Sequence, residues 1–318
     1  MTRTDGGVRS RAIIHVGPHK TGTSAFQVTL LSMRNVLEAS DNFSVFHAPA
    51  RVSSLNEHQV QERTNAGFRF RNGKYAANVA FYLQSLESRN FSHHSKVWTE
   101  FKHYLDAASK DQRHVVVSSE EFDNPSVNIP LLKGALSAFM RTRIVIVYRP
   151  YVSWLVSKWS QINFQQPGPA QALEDFLSTD EIIRHASPAG QHSIALYHRY
   201  ARHFHDVSLR NHSVQVISEI ICEEMDAFAT CKAIQQQQLT IVNSNKSGSL
   251  LANQQRSCMD STRYQLLWTM SLGIEAEALE IMGQEMTGLH VTALRLTFES
   301  SPIRTCSCLD STCASSRN

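Results

Sequence analysis

Short apolar runs alternate along this chain with stretches whose hydrophobic positions recur at helical spacing. Residues 12–16, Ala-Ile-Ile-His-Val, form a β-prone run that suits a buried strand. Glycine, proline and hydroxyl residues fill the next stretch, from Gly17 to Ser24. Phe26, Leu30, Met33 and Leu37 then fall at i, i+4, i+7 and i+11 on one helical face. A second strand is predicted over 42–47. Helical spacing returns at Ala76, Val79, Leu83 and Leu86, with a further helix expected over 95–108. The run His114-Val-Val-Val-Ser-Ser is the next strand, and Glu120 and Glu121 follow its C-terminal end. Pro130 opens a helix to about Met140, proline being favoured at the first helical position. Ile144 to Tyr148 is an apolar strand ending in Arg149, and the helix opened by Pro150 buries Val152, Leu155, Val156, Trp159 and Ile162. Helices over 172–185 and 194–204 and a strand over 214–217 complete the regular pattern. From Cys222 onward the spacing is helical, interrupted by the polar stretch 243–248. Strands alternating with helices predict an α/β fold, a three-layer parallel sheet with helices on both faces.

The polar and basic residues 1–11 are expected to be disordered, and residues 12–299 to form one domain. Residues 49–75, polar and carrying Arg51, Arg63, Arg69, Arg71 and Lys74, read as an insertion or lid. The Cys- and Ser-rich tail, 300–318, reads as irregular. With 318 residues, 42% of them hydrophobic and 19% charged, the chain can bury a substantial core. A net charge of +3 is too small to argue for nucleic acid as a partner. There is no run of 18 apolar residues, so no transmembrane helix is predicted.

The turn at Gly17–Ser24 carries the most chemistry. Strand, tight glycine loop and helix bring backbone N–H groups and a helix N-terminus to one point, which is how α/β sheets hold anions. The nucleotide-triphosphatase loop is G-x4-G-K-[ST]. Here Gly17, Gly22 and Ser24 keep that spacing, but Thr23 stands where the lysine would be, and Lys20 lies forward in the bend. A lysine there can reach the bridging oxygen of a short anhydride and neutralise charge as the bond breaks. No apolar strand ends in the aspartate that would hold Mg²⁺.

Pro18-His19-Lys20-Thr21-Gly22-Thr23-Ser24 resembles the 5′-phosphosulfate loop of sulfotransferases that use 3′-phosphoadenosine-5′-phosphosulfate (PAPS). A second element supports this: Arg149 at a strand end, with Ser157 two helical turns on, resembles the family's 3′-phosphate element. The resemblance covers roughly residues 12–165. It implies a P-loop-like sulfotransferase fold, PAPS as co-substrate without a metal, and a hydroxyl-bearing acceptor, best supported as a glycan of the carbohydrate-type, microbial or algal branches. It implies that Lys20 stabilises the leaving phosphate, that Pro18, His19, Thr21, Gly22, Thr23 and Ser24 form the 5′-phosphate loop, and that Arg149 and Ser157 hold the 3′-phosphate. The base is left among Glu120, which the resemblance favours, Glu121, His15 and His19. The basic segment that closes over the 3′-phosphate in many relatives has only Lys246-Ser-Gly as a candidate.

The rival readings are a P-loop nucleotide kinase or NTPase, and a catalytically degenerate nucleotide-binding module. The cluster of His198, Arg199, Arg202, His203 and His205 lacks metal-ligand spacing and reads as a solvated helical face. Trp154 and Trp159 read as core. Sequons at Asn42, Asn90, Asn211 and Asn245 and six cysteines, with Cys222 near Cys231, suit a Golgi lumen if an anchor precedes the chain; otherwise the compartment is cytoplasmic.

Overall fold

In the computed structural model the apolar runs become adjacent parallel strands. The structure describes residues 10–19, 21–46, 76–84, 92–165, 172–187, 190–213, 215–242, 257–259, 261–286, 290–292, 294–295 and 303–305. Lys20, the 49–75 insertion, Asn90, the 243–248 stretch and Cys306, Cys308 and Cys313 therefore lie outside the described residues.

Strand β1 (Arg11–His15) is central. On one side it pairs with β3 (His114–Ser118), setting Ile13 opposite Val116. On the other it pairs with β4 (Arg141–Tyr148), setting Ile14 opposite Ile144. With β2 (Phe43–Val45) and β5 (Val207–Asn211) at the edges, the five-stranded parallel sheet has the order β2-β3-β1-β4-β5. Side chains alternate between the two faces of a strand, and both sets are buried here. Ile13, Val116, Val145 and Val147 pack into one cluster with Phe26, Leu30, Met33 and Leu37. The opposite set, Ala12, Ile14, Val115, Val117, Ile144 and Ile146, is equally inaccessible to solvent. Fully burying a side chain of this kind stabilises by roughly 1.5–3 kcal/mol before conformational entropy is counted.

The expected helix face at 26–37 is present, but the helix divides at Met33 into α1 (Thr23–Ser32) and α2 (Arg34–Ser40). All four apolar positions remain in the core, so the break costs no burial. The strand expected at 214–217 is a correction. Val216–Glu219 is helical, because Val216, Ile220 and Ile221 reach the core at helical spacing. The edge strand is Val207–Asn211 instead, where Leu209 is buried while Ser208 and Arg210 turn to Glu224. The helix expected over 172–185 is two, Leu173–Phe176 and Thr179–Ala186.

Both ends of the expected domain shift. Arg11, placed in the disordered segment, starts β1 and is fixed by an ion pair to Asp226 at 2.6 Å and a bond to the Met225 carbonyl. Within the tail expected to be irregular, β7 (Ile303–Thr305) pairs in parallel with β6 (Ser257–Met259). The chain forms two compact units, Met1–Val147 with Arg199–Ser244 and Tyr148–His198 with Asn245–Asn318. The first holds the sheet, its glycine loop and a Cys222–Cys231 disulfide. In the second, Trp154 and Tyr151 are buried as core, and the buried ring of His192 meets Tyr148, Tyr151 and Trp154 edge-on. Among the described residues no helix is long and apolar enough to cross a membrane.

Candidate active site

The glycine loop leaves the sheet at the C-terminal end of its central strand, where open α/β sheets bind ligands. Val16 N–H donates to the Val145 carbonyl at 3.1 Å, and the Gly17 carbonyl accepts from Val147 N–H at 3.3 Å. Gly17 has φ +84°, and a Cβ there would lie 3.2 Å from both Cα and the carbonyl oxygen of Glu120. The loop therefore rests directly on the turn that follows β3. Pro18 is buried behind a cis peptide bond, and Thr21, also buried, donates its hydroxyl to the Pro18 carbonyl at 2.6 Å.

Gly22, at φ 86° and ψ 9°, is the residue before α1, and no side chain among the described residues caps that helix. The amides of Thr23, Ser24 and Ala25 fall in the first turn, where the helix offers no acceptor, and the positive end of the helix dipole adds to them. Thr23 is 4% exposed, and its Oγ1 has no hydrogen-bond partner among the described residues. Ser24 is exposed on the same turn. Donors that find no acceptor among the described residues, at a helix N-terminus, fit the oxygens of a phosphate.

Glu120 opens a 3₁₀ turn, Glu120–Asp123, that follows β3. Ser119 N–H bonds the His15 carbonyl, and its hydroxyl caps the turn by accepting from Glu121 N–H. Glu120 is buried, and its Oε2 accepts from Gln27 Nε2 at 3.2 Å; the same Gln27 amide donates to the Ser118 carbonyl at 3.0 Å. Helix α1 thus carries both the N-terminus that follows the glycine loop and the group that holds Glu120.

His19 is tied to the same turn. Its backbone N–H lies 3.0 Å and its Nδ1 2.8 Å from Asp123 Oδ2, and its Nε2 lies 3.6 Å from Glu121 Oε1. Asp123 is 1% exposed, and its carbonyl accepts from Arg199 Nη2. Tyr200 donates its hydroxyl to the Phe122 carbonyl at 3.0 Å. Arg199, expected on a solvated face, is thus half-buried against the turn, and burial pulls its guanidinium below the usual arginine range. His15, another candidate base, is buried with Nδ1 2.9 Å from Ser118 Oγ and its ring edge-on to Phe26. Burial pushes its pKa down to about 4 against the opposing pull of Glu120, so it is a neutral core imidazole.

Arg149 and Ser157, eight residues apart, are brought together in the second unit. Arg149 Nη1 donates to Ser157 Oγ at 3.0 Å, and His192 Nε2 lies 3.0 Å from the Arg149 carbonyl. Both residues are half-buried, and burial lowers the Arg149 pKa from its ordinary value. His198 is exposed and pairs with Glu277 at 2.7 Å.

Gln27, Asp123 and Arg199 were not assigned a place in the site from sequence. The available signals were a glutamine beside Phe26 on a buried helix and a third acid closing the Glu120–Asp123 run. Compared with protein-family models, curated proteins and solved structures, the chain matches none.

Proposed function

We propose that this chain is a sulfotransferase that moves the sulfuryl group of PAPS to a hydroxyl acceptor, most simply a glycan alcohol, on a P-loop-like α/β fold. The observation that carries the reading is the loop between β1 and α1: among the described residues its helix end has no side-chain cap and a buried threonine hydroxyl has no partner, and in the sequence Lys20 directly precedes Thr21. The loop and first-turn donors, with the Ser24 hydroxyl, bind the 5′-phosphate. Lys20 neutralises the charge that gathers on the bridging oxygen as the S–O bond breaks. Arg149 and Ser157 take the 3′-phosphate, a guanidinium giving forked contacts and the hydroxyl one more donor. In-line attack by the acceptor oxygen forms the new O–S bond, and the electron pair of the broken bond stays on the departing phosphate, leaving adenosine 3′,5′-bisphosphate. Glu120 is the carboxylate that the sequence resemblance names as base.

Calorimetric titration with adenosine 3′,5′-bisphosphate in the absence of Mg²⁺ tests the reading, with ATP and Mg²⁺ as the contrast. Tight binding of the bisphosphate is expected, followed by ³⁵S transfer from labelled PAPS to a panel of desulfated glycans. Arg149→Ala weakens the bisphosphate by about 10- to 100-fold, the value of a charge-assisted contact. Lys20→Ala abolishes transfer while the fold survives. Mg²⁺-dependent ATP turnover with no affinity for the bisphosphate would replace this reading with a nucleotide kinase or NTPase.

A further inference from the structure

We infer that His19, oriented by Asp123, takes the acceptor proton; this rests on the sulfotransferase reading above. Two contacts from one buried carboxylate oxygen, to the His19 amide at 3.0 Å and to Nδ1 at 2.8 Å, fix both the backbone and the ring. An aspartate on Nδ1 holds the proton there, so Nε2 is the basic nitrogen, which is the division of roles in an Asp–His pair. Asp123 is itself anchored from behind through Arg199 at its carbonyl, and its turn is held by Tyr200 at the Phe122 carbonyl. When Nε2 accepts a proton, the imidazolium has Asp123 Oδ2 at Nδ1 and Glu121 Oε1 3.6 Å from Nε2.

The competing carboxylate is placed differently. Glu120 is 6% exposed, its backbone lies under Gly17, and its Oε2 receives the Gln27 amide, which joins it to α1 and to the end of β3. That arrangement makes Glu120 a positioning residue for the loop. His19 immediately precedes Lys20, so the group that receives the proton and the group that stabilises the leaving phosphate are chain neighbours. The step balances without a redox partner: the acceptor O–H proton passes to Nε2, the O–S bond forms, and the S–O bond to phosphate breaks with its electron pair kept by the phosphate.

The test separates proton removal from everything else by using two acceptors with ³⁵S-labelled PAPS in mildly alkaline buffer. Desulfated chondroitin presents alcohols that keep their protons, whereas 4-nitrophenol is already largely ionised. His19→Gln is expected to lower transfer to chondroitin by about 10²- to 10³-fold, the range of general base catalysis, with a loss on 4-nitrophenolate at least about tenfold smaller. Asp123→Asn, which keeps the volume, gives the same acceptor-dependent pattern in weaker form. Equal losses on both acceptors would mark His19 as merely structural and overturn the inference, as would full chondroitin transfer by His19→Gln. So would Glu120→Gln showing the acceptor-dependent pattern in its place. Bisphosphate titration of the unaltered chain reads the underlying proposal separately. No binding there removes both, and binding without transfer to either acceptor removes the catalytic assignment alone.

Discussion

Replacing Gly17 by alanine, with Gly22→Ala as its control, measures how tightly the loop is seated on the Glu120 turn. Both glycines have left-handed φ, +84° and +86°, so an alanine at either carries a similar backbone cost of about 1 kcal/mol, partly offset by the stiffer unfolded chain. They differ in what a new Cβ would meet. At Gly22 nothing lies within 4 Å; at Gly17 the Glu120 Cα and carbonyl oxygen are both at 3.2 Å. Those are backbone atoms of a capped turn, unable to swing aside as a flexible side chain would. Relieving the contact needs a shift of a few tenths of an ångström, and overpacking of this kind costs about 1–3 kcal/mol. Gly17→Ala is therefore expected to lose roughly 2–4 kcal/mol against about 1 kcal/mol for Gly22→Ala. Urea unfolding followed by tryptophan fluorescence reads the difference as a midpoint shift of order 1 M at unchanged slope. Equal midpoints for the two variants would refute the claimed seating, and with it the idea that Glu120 positions the loop.

The buried imidazole of His15 makes stability pH-dependent. Its folded pKa of about 4 lies below the ordinary 6.5, so the unfolded chain binds the extra proton between those values and stability falls as pH drops through that window. The full effect is about 3 kcal/mol, and His15→Leu should flatten this part of the stability–pH curve; parallel curves would contradict it. Glu224, 1% exposed, accepts from Arg143 at 2.7 Å, Ser208 at 2.6 Å and Arg210. Glu224→Ala should cost about 3 kcal/mol in thermal melts, whereas Arg141→Ala, removing an exposed ion pair to Asp206, should cost under about 1 kcal/mol; equal losses would refute the distinction. The Cys222–Cys231 bond spans nine positions, so the double serine variant should lose about 2.5 kcal/mol by loop-closure entropy, and unchanged melting would count against that role.

The sheet was readable in the sequence where burial on both faces leaves an unbroken apolar run, as at Ala12–Ile14, Val115–Val117 and Ile144–Val147. Such runs have no polar alternative to compete with the strand assignment. The edge strand is hidden from a local reading because 214–217 offers Val-Gln-Val-Ile, β-prone in isolation, while the true edge strand, Val-Ser-Leu-Arg-Asn, keeps only Leu209 buried. Tertiary contact decided between them, since Val216 and Ile220 share a helical face that the core needs. The loop glycines and Thr23 in the first unit, and the pairing of Arg149 with Ser157 in the second, were legible because spacing along one loop or one helix determines each. Asp123, Gln27 and Arg199 were not, since their partners lie 104, 93 and 76 positions away. No local pattern encodes a contact of that range.

The position of β1 also bears on how this molecule is made. The strand at the middle of the sheet is the earliest to leave the ribosome, yet both its neighbours are encoded more than a hundred residues later. At ordinary elongation rates this leaves the Ala-Ile-Ile run unpaired for on the order of 10 s, a sticky segment awaiting its flanks. Nascent chains truncated before Arg141 should therefore bind holdase chaperones through residues 11–16, and release should coincide with emergence of β4.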